Sequence, residues 1–159
     1  QVVYDPQHNL LFLRTRWQIR VIDAATQTEV SSQVATEWFT DMDLTPDGEY
    51  LFAADYGLTN TGYGNPVRPH YLHRFHLATK TWETKVAPTI AYRLEAVDAE
   101  RVLVLEQDQH VDVLLYNFGA TPSAPVTLVT SIRASYSGDI EFDAATGRLD
   151  NGNSGSSSQ

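Results

Sequence analysis

The chain has 159 residues, a formal net charge of −9 and no cysteine. That length suffices for one domain with a real core, and a 42% apolar, 11% aromatic composition argues for a globular fold over disorder. The acidic balance disfavours a nucleic-acid role, which needs a basic stripe to neutralise phosphate. The lack of cysteine removes disulfide and thiolate chemistry, and no run approaches the ~20 apolar residues of a membrane span.

Taken in order, the chain repeats one plan four times. The first unit opens with a short strand at Val2-Val3-Tyr4, a polar break at Asp5-Pro6-Gln7-His8-Asn9, and an apolar strand at Leu10-Leu11-Phe12-Leu13. Two further strands follow, Gln18 to Ile22 and Thr28 to Ser32, joined by Asp23-Ala24-Ala25-Thr26. The second unit holds the clearest hairpin. Met42 and Leu44 alternate with Asp41, Asp43 and Thr45, the period of a half-buried strand. Pro46-Asp47-Gly48 breaks it with residues that pre-set a turn. Tyr50 to Ala54 is then a near-continuous apolar run, suited to a strand covered on both faces.

A glycine-, asparagine- and proline-rich loop from Gly57 to Pro69 lengthens the link to strands at Tyr71 to Leu77 and Thr81 to Val86. The third unit runs through hairpin residues Leu94 to Leu105 and strands at Val111 to Phe118 and Val126 to Thr130. The fourth begins at Ile140 to Leu149 and stops after its second strand, within the linker-like Asp150 to Gln159. Leu11, Leu51, Leu103 and Leu149 fall at equivalent places in this reading, spaced by roughly 46 residues, as four-stranded propeller blades are. The prediction is an all-β chain of about three and a half β-propeller blades, at residues 1–34, 35–87, 88–131 and 132–159, in a single domain.

Pro46-Asp47-Gly48-Glu49-Tyr50-Leu51-Phe52-Ala53-Ala54-Asp55 resembles the signature hairpin of the YVTN-type, lactonase-like β-propellers, a Pro-Asp/Ser-Gly turn before an L-Y-V-A-N-like strand. Asp23-Ala24-Ala25-Thr26 is similar to that family's D-x-x-T-G turn, with Gln27 in place of the usual glycine. The resemblance implies a seven-bladed ring. It leaves activity open, because such propellers include sugar-lactone hydrolases, redox-enzyme subunits and surface proteins.

Three and a half blades do not close a ring, which takes about 4–8. The exposed flanks would be large apolar patches, with an unpaired strand at the end. The chain opens inside a strand and lacks a signal-peptide pattern. The expectation is a remainder of the propeller, supplied by the same polypeptide or by a second chain, a homodimer included. A self-contained sandwich is the other way to use short strands at this spacing.

Propeller ligands gather at one end of the channel. There the resemblance places Arg14, Thr15 and Arg16; Glu37, Trp38 and Phe39; Asn60, Tyr63, Asn65 and Arg68; Tyr92 and Arg93; and Tyr136, Ser137 and Asp139. Arg16, Trp38, Tyr63, Arg68, Arg93 and Tyr136 are the candidate binding residues, because aromatics mixed with arginine are what binding surfaces use. Ordinary packing of loop residues is the plainer account of the same pattern.

His70, His73 and His76 alternate across a predicted outer strand and do not converge as zinc ligands must. Asp41, Asp43, Asp47 and Asp55 lack the curled loop that calcium takes. No nucleophile elbow is present, since Gly152-Asn153-Ser154-Gly155 lacks its spacing. No catalytic residue, metal or cofactor is therefore assigned. The expected function is a non-enzymatic binding or scaffold module, extracellular or periplasmic, that recognises a protein or glycan. The alternative is part of a lactonase-like or other propeller hydrolase whose site needs further blades.

Overall fold

The computed structural model of the chain describes residues 1–57, 69–106, 112–133 and 139–152. Among them lie fourteen strands. The first sheet has β1 (Val2–Asp5), β2 (Leu10–Arg14), β3 (Gln18–Asp23) and β4 (Thr28–Val34), in that spatial order. The second has β5 (Trp38–Leu44), β6 (Tyr50–Tyr56), β7 (His70–His76) and β8 (Thr81–Ala87). The third has β9 (Arg93–Ala96), β10 (Arg101–Leu105), β11 (Asp112–Asn117) and β12 (Thr127–Arg133). A two-stranded sheet, β13 (Asp139–Asp143) with β14 (Arg148–Gly152), begins a fourth. Every pairing is antiparallel between sequence neighbours. The architecture is all-β, three propeller blades and the start of another.

The core lies between blades, in layers set by strand alternation. Leu10, Phe12, Ile19 and Val21 of blade one meet Phe39, Met42, Leu51, Ala53 and Phe75 of blade two. Phe12 and Phe75 cross edge to face at 5.8 Å. Phe52, Ala54 and Leu72, on the other side of blade two, meet Leu94, Val102, Val104, Tyr116 and Phe118 of blade three. This is why Leu51 to Ala54 reads as a continuous apolar run: alternate residues of β6 serve two different interfaces. Leu103, Leu105 and Val113 then face Ile140, Phe142 and Leu149 of blade four.

Two sequence expectations are corrected here. Leu103 is not the counterpart of Leu11 and Leu51. Each of those is the second residue of its strand, and in β10 that place belongs to Val102. One position of offset turns a strand residue to the opposite face, so Val102 packs toward blade two and Leu103 toward blade four. The histidine strand is not an exposed outer strand either. β7 is third of four, and His73 is only 2% exposed.

The innermost strands of blades two and three have a free edge, and the preceding blade caps each. Asp41 Oδ2 accepts the Leu94 N–H (3.2 Å) and Asp43 Oδ2 accepts the Ala96 N–H (2.9 Å), both from β9. Gln1 Nε2 donates to the Met42 carbonyl (2.9 Å) and Arg14 Nη1 to the Phe39 carbonyl (2.8 Å), both on β5. A second link joins blades two and three. Lys85 Nζ donates to the carbonyls of Phe118 (2.7 Å), Gly119 (3.2 Å) and Thr121 (2.7 Å) and lies 3.2 Å from Glu83 Oε1. Arg74 bridges Glu83 and the Ala99 carbonyl and rests on the Phe118 ring.

The turns at the lower end are satisfied from within. Asp23 Oδ1 accepts the N–H of Ala25 and of Thr26, and Asp143 Oδ1 those of Ala145 and Thr146. Each turn then needs a left-handed residue, Gln27 (φ 57°) in one and Gly147 (φ 68°) in the other. Glycine adopts that conformation without the penalty a side chain brings. Gly147→Ala is expected to destabilise the fold by about 1 kcal/mol although the space beside it is open. Gln27→Gly is expected to stabilise it by a smaller amount. Urea unfolding of both variants checks the pair, and a stabilising Gly147→Ala contradicts the turn assignment.

Candidate functional site

The connections β2–β3, β4–β5 and β8–β9 emerge at one end of the blades, here called the upper end. Its first element is the tight β2–β3 link. Thr15 Oγ1 accepts the Gln18 N–H (3.0 Å), and the backbone carbonyls of Arg16 and Trp17 receive the N–H groups of Phe39 (2.8 Å) and Ala35 (3.0 Å). Blade one's loop is thereby pinned to the entry of blade two. Asp55 fixes that entry from the other side, its carboxylate accepting the N–H of Thr36 (2.6 Å) and of Glu37 (3.3 Å).

Pinned in this way, five side chains form a ladder. The Arg16 guanidinium sits 4.8 Å from the Trp17 ring and 4.7 Å from the Trp38 ring. Trp38 pairs across the strands with Tyr56, and their rings stack at 4.7 Å and 9°. Tyr56 meets His70 edge to face at 5.9 Å, and His70 Nδ1 accepts the Gly57 N–H (2.9 Å). Burial lowers the His70 pKa, against the opposing charge of Asp55, so this rung favours its neutral form. Trp17 is 55% exposed at the outer end of the ladder.

Nearer the axis lies a polar cleft of about 310 Å³, lined by Gln1, Arg14, Asp41, Asp43, Arg93 and Glu95 among others. Burial pushes the Asp41 carboxyl up, opposed by the N–H groups of Leu94 and Met42 and by the charges of Arg93 and Arg14. Asp43 is also pushed up, mainly by burial. Burial and the nearby Arg93 lower the Arg14 guanidinium while Asp41 raises it. Both Asp41 oxygens are engaged by backbone N–H groups, those of Met42 and Leu94. Among the described residues no three His, Cys, Asp or Glu side chains are grouped to hold a metal ion.

The structure thus brings Arg16 and Trp38 together and sets Arg93 apart, in the cleft and 5.3 Å from the Tyr92 ring. Tyr63, Arg68 and Tyr136 lie outside the described residues, as do Asn60, Asn65 and Ser137. Trp17 and Tyr56 were not among the residues singled out from sequence, and His70 was weighed there only as a metal ligand. The signal for Trp17 was its place next to Arg16 in a short polar link. Tyr56 and His70 come together only through strand pairing.

Beneath the ladder is a buried polar set. His73 Nε2 lies 3.5 Å from Asp55 Oδ2, and His73 Nδ1 is 2.8 Å from Thr84 Oγ1. Burial raises the Asp55 pKa, but the adjacent His73 and the N–H groups of Thr36 and Glu37 outweigh it and hold the carboxyl below its ordinary 3.8. A carboxylate with a depressed folded pKa contributes stability above its unfolded pKa and loses it as pH falls through the folded value. Asp55→Asn is therefore expected to be less stable than the parent near neutral pH, and the gap is expected to narrow as pH falls below 3.8. Thermal melts over that range check this. A gap that widens on acidification contradicts the role given to the carboxylate.

No family model matches the chain, and no curated protein sequence does either. Solved structures do. The β-propeller domain of Cps50 (Swd1) from Myceliophteria thermophila superposes with a TM-score of 0.62 at 12% identity, over 93% of this chain and 46% of that one. A chain in the crystal structure of the mitotic checkpoint complex gives a TM-score of 0.68 at 12% identity, over 95% and 44%. The C-terminal WD40 domain of Sif2 gives 0.62 at 11% identity, over 94% and 38%. The likeness carries the β-propeller fold over most of the chain. This chain spans less than half the length of these propellers.

Proposed function

We propose that the chain is part of a non-enzymatic β-propeller binding or scaffold module, which recognises a protein or glycan with its upper end. The observation that carries this reading is the Trp17–Arg16–Trp38–Tyr56 ladder. Tryptophan, tyrosine and arginine are the residues that dominate binding hot spots, and here their ordering is completed before any partner arrives, which lowers the entropic cost of association. A hydrolase reading is weaker. The Asp41 and Asp43 carboxylates at the axis spend oxygens on the backbone edges of β5 and β9, so they act as caps. The finer YVTN-type relationship rests on the 40–55 hairpin. A photo-crosslinking side chain at Trp17 is expected to give adducts with a partner macromolecule, and one at Asp47, in the opposite turn, to give none. Equal adducts from both ends, or none from Trp17, overturn the reading.

The same proposal includes further blades, from the same polypeptide or a second copy, seated on the open face of blade one. Val2 is 65% exposed, whereas Met42, at the matching place in blade two, is 1% exposed. Leu11, Leu13 and Ile22 on that face are half-buried, and their counterparts Leu51, Ala53 and Phe75 are fully buried against blade one. The lack of native cysteine makes the test clean. Leu13→Cys is expected to resist maleimide in the assembled protein and Trp17→Cys to react freely. Rapid labelling of Leu13→Cys in the assembly rules out a blade at that face.

A further inference from the structure

We propose that Arg16 is a receptor for a side-chain carboxylate on an acidic peptide segment of the partner, with Trp17 covering the residue beside it. This rests on the upper-end reading above and names its chemistry. Four other arginines among the described residues are matched with acids: Arg20 with Glu29, Arg74 with Glu83, Arg101 with Asp98 and Arg148 with Asp150. Arg16 has no carboxylate partner among the described residues, in a chain with 20 Asp and Glu against 11 Lys and Arg. Two indoles hold it instead.

The geometry decides which chemistry is left to it. Arg16 contacts two rings, at 4.8 and 4.7 Å, so its remaining donors are the N–H groups around the guanidinium edge. That edge is the fork that takes a carboxylate with two parallel hydrogen bonds. Contact with aromatic rings holds the cation in place without neutralising it, which leaves its charge for an incoming anion. Trp38 is already contacted by Arg16 and stacked on Tyr56, which leaves less of its ring for a sugar to stack on. Clusters of free arginines mark phosphorylated peptides. Here Arg14 is committed to Gln1 Oε1 and the Phe39 carbonyl, which favours the singly charged carboxylate.

The test is fluorescence anisotropy with labelled Gly/Ser octapeptides carrying Glu-Tyr-Glu-Glu, or Gln-Tyr-Gln-Gln as the neutral match. The glutamate peptide is expected to bind roughly 10-fold tighter, as charge-assisted bonds outweigh neutral ones. Arg16→Gln is expected to abolish that preference while leaving the melting temperature unchanged, because the side chain is exposed. Arg16→Lys is expected to restore only part of it, since an ammonium lacks the fork. About 0.5 M salt is expected to weaken the glutamate peptide selectively. Equal binding of the two peptides, an unchanged preference in Arg16→Gln, tighter binding of a phosphotyrosine peptide, or preferential binding of xylo-oligosaccharides overturns the inference. If any of these occurs while Trp17 still crosslinks a partner, the upper-end reading stands and only the carboxylate chemistry falls. If Trp17 crosslinks nothing, both fall.

Discussion

The structure depends on one constraint. A twisted four-stranded sheet has two apolar faces and a free inner edge, and a single blade covers none of them. In blades two and three each is covered by a neighbour. The faces are covered by the alternating residues of β2, β6 and β10, as Leu51 and Phe52 show by packing toward different blades. The inner edge is covered by side chains: Asp41 and Asp43 reach across to the N–H groups of β9, and Gln1 and Arg14 reach the carbonyls of β5. A buried backbone group left without a partner costs about 1–3 kcal/mol. The carboxylates therefore accept the burial that pushes their pKa up because the alternative is a row of unsatisfied donors.

Blade two is the most completely enclosed part of the chain, and its buried polar groups follow from that position. His73 and Asp55 lie toward blade one and tie the β4–β5 connection to β6. Arg74 and Lys85 lie toward blade three and end on its carbonyls. The second set is hydrogen-bonded across an interface between sheets, which makes it a specifier of blade-to-blade register as well as a contributor to cohesion. The cations of the second set also rest on the Phe118 ring, so their alkyl stems and their charge are both used.

The two ends of the blades differ in kind. The lower end is closed by turns in which an aspartate satisfies its own loop, at Asp23, Asp47, Asp98 and Asp143. Such carboxylates are consumed locally. The upper end is built from irregular links held by contacts between blades, and there Arg16, Trp17, Trp38 and Tyr56 come together from three separate segments. Loops placed on a rigid scaffold are where proteins put recognition.

Much of this was legible in the order of residues. The period-two alternation around Met42, the Pro46-Asp47-Gly48 break and the apolar run of β6 specify strands and a tight turn through local chemistry, and their recurrence specifies blades. Arg16 and Trp38 were legible as residues of one loop face through the resemblance to propeller blades, whose geometry implies which links share an end. Other features depend on contacts between residues far apart. The burial of His73 and the use of Asp41 and Asp43 as edge caps are settled by the neighbouring blade, 53 residues away for each aspartate. The place of Val102 rather than Leu103 is a matter of one residue of register, which an apolar run of valines and leucines does not distinguish. The ladder itself needed tertiary structure, since Tyr56 meets Trp38 only through antiparallel pairing, and Arg16 reaches Trp38 only because the Phe39 N–H holds its carbonyl.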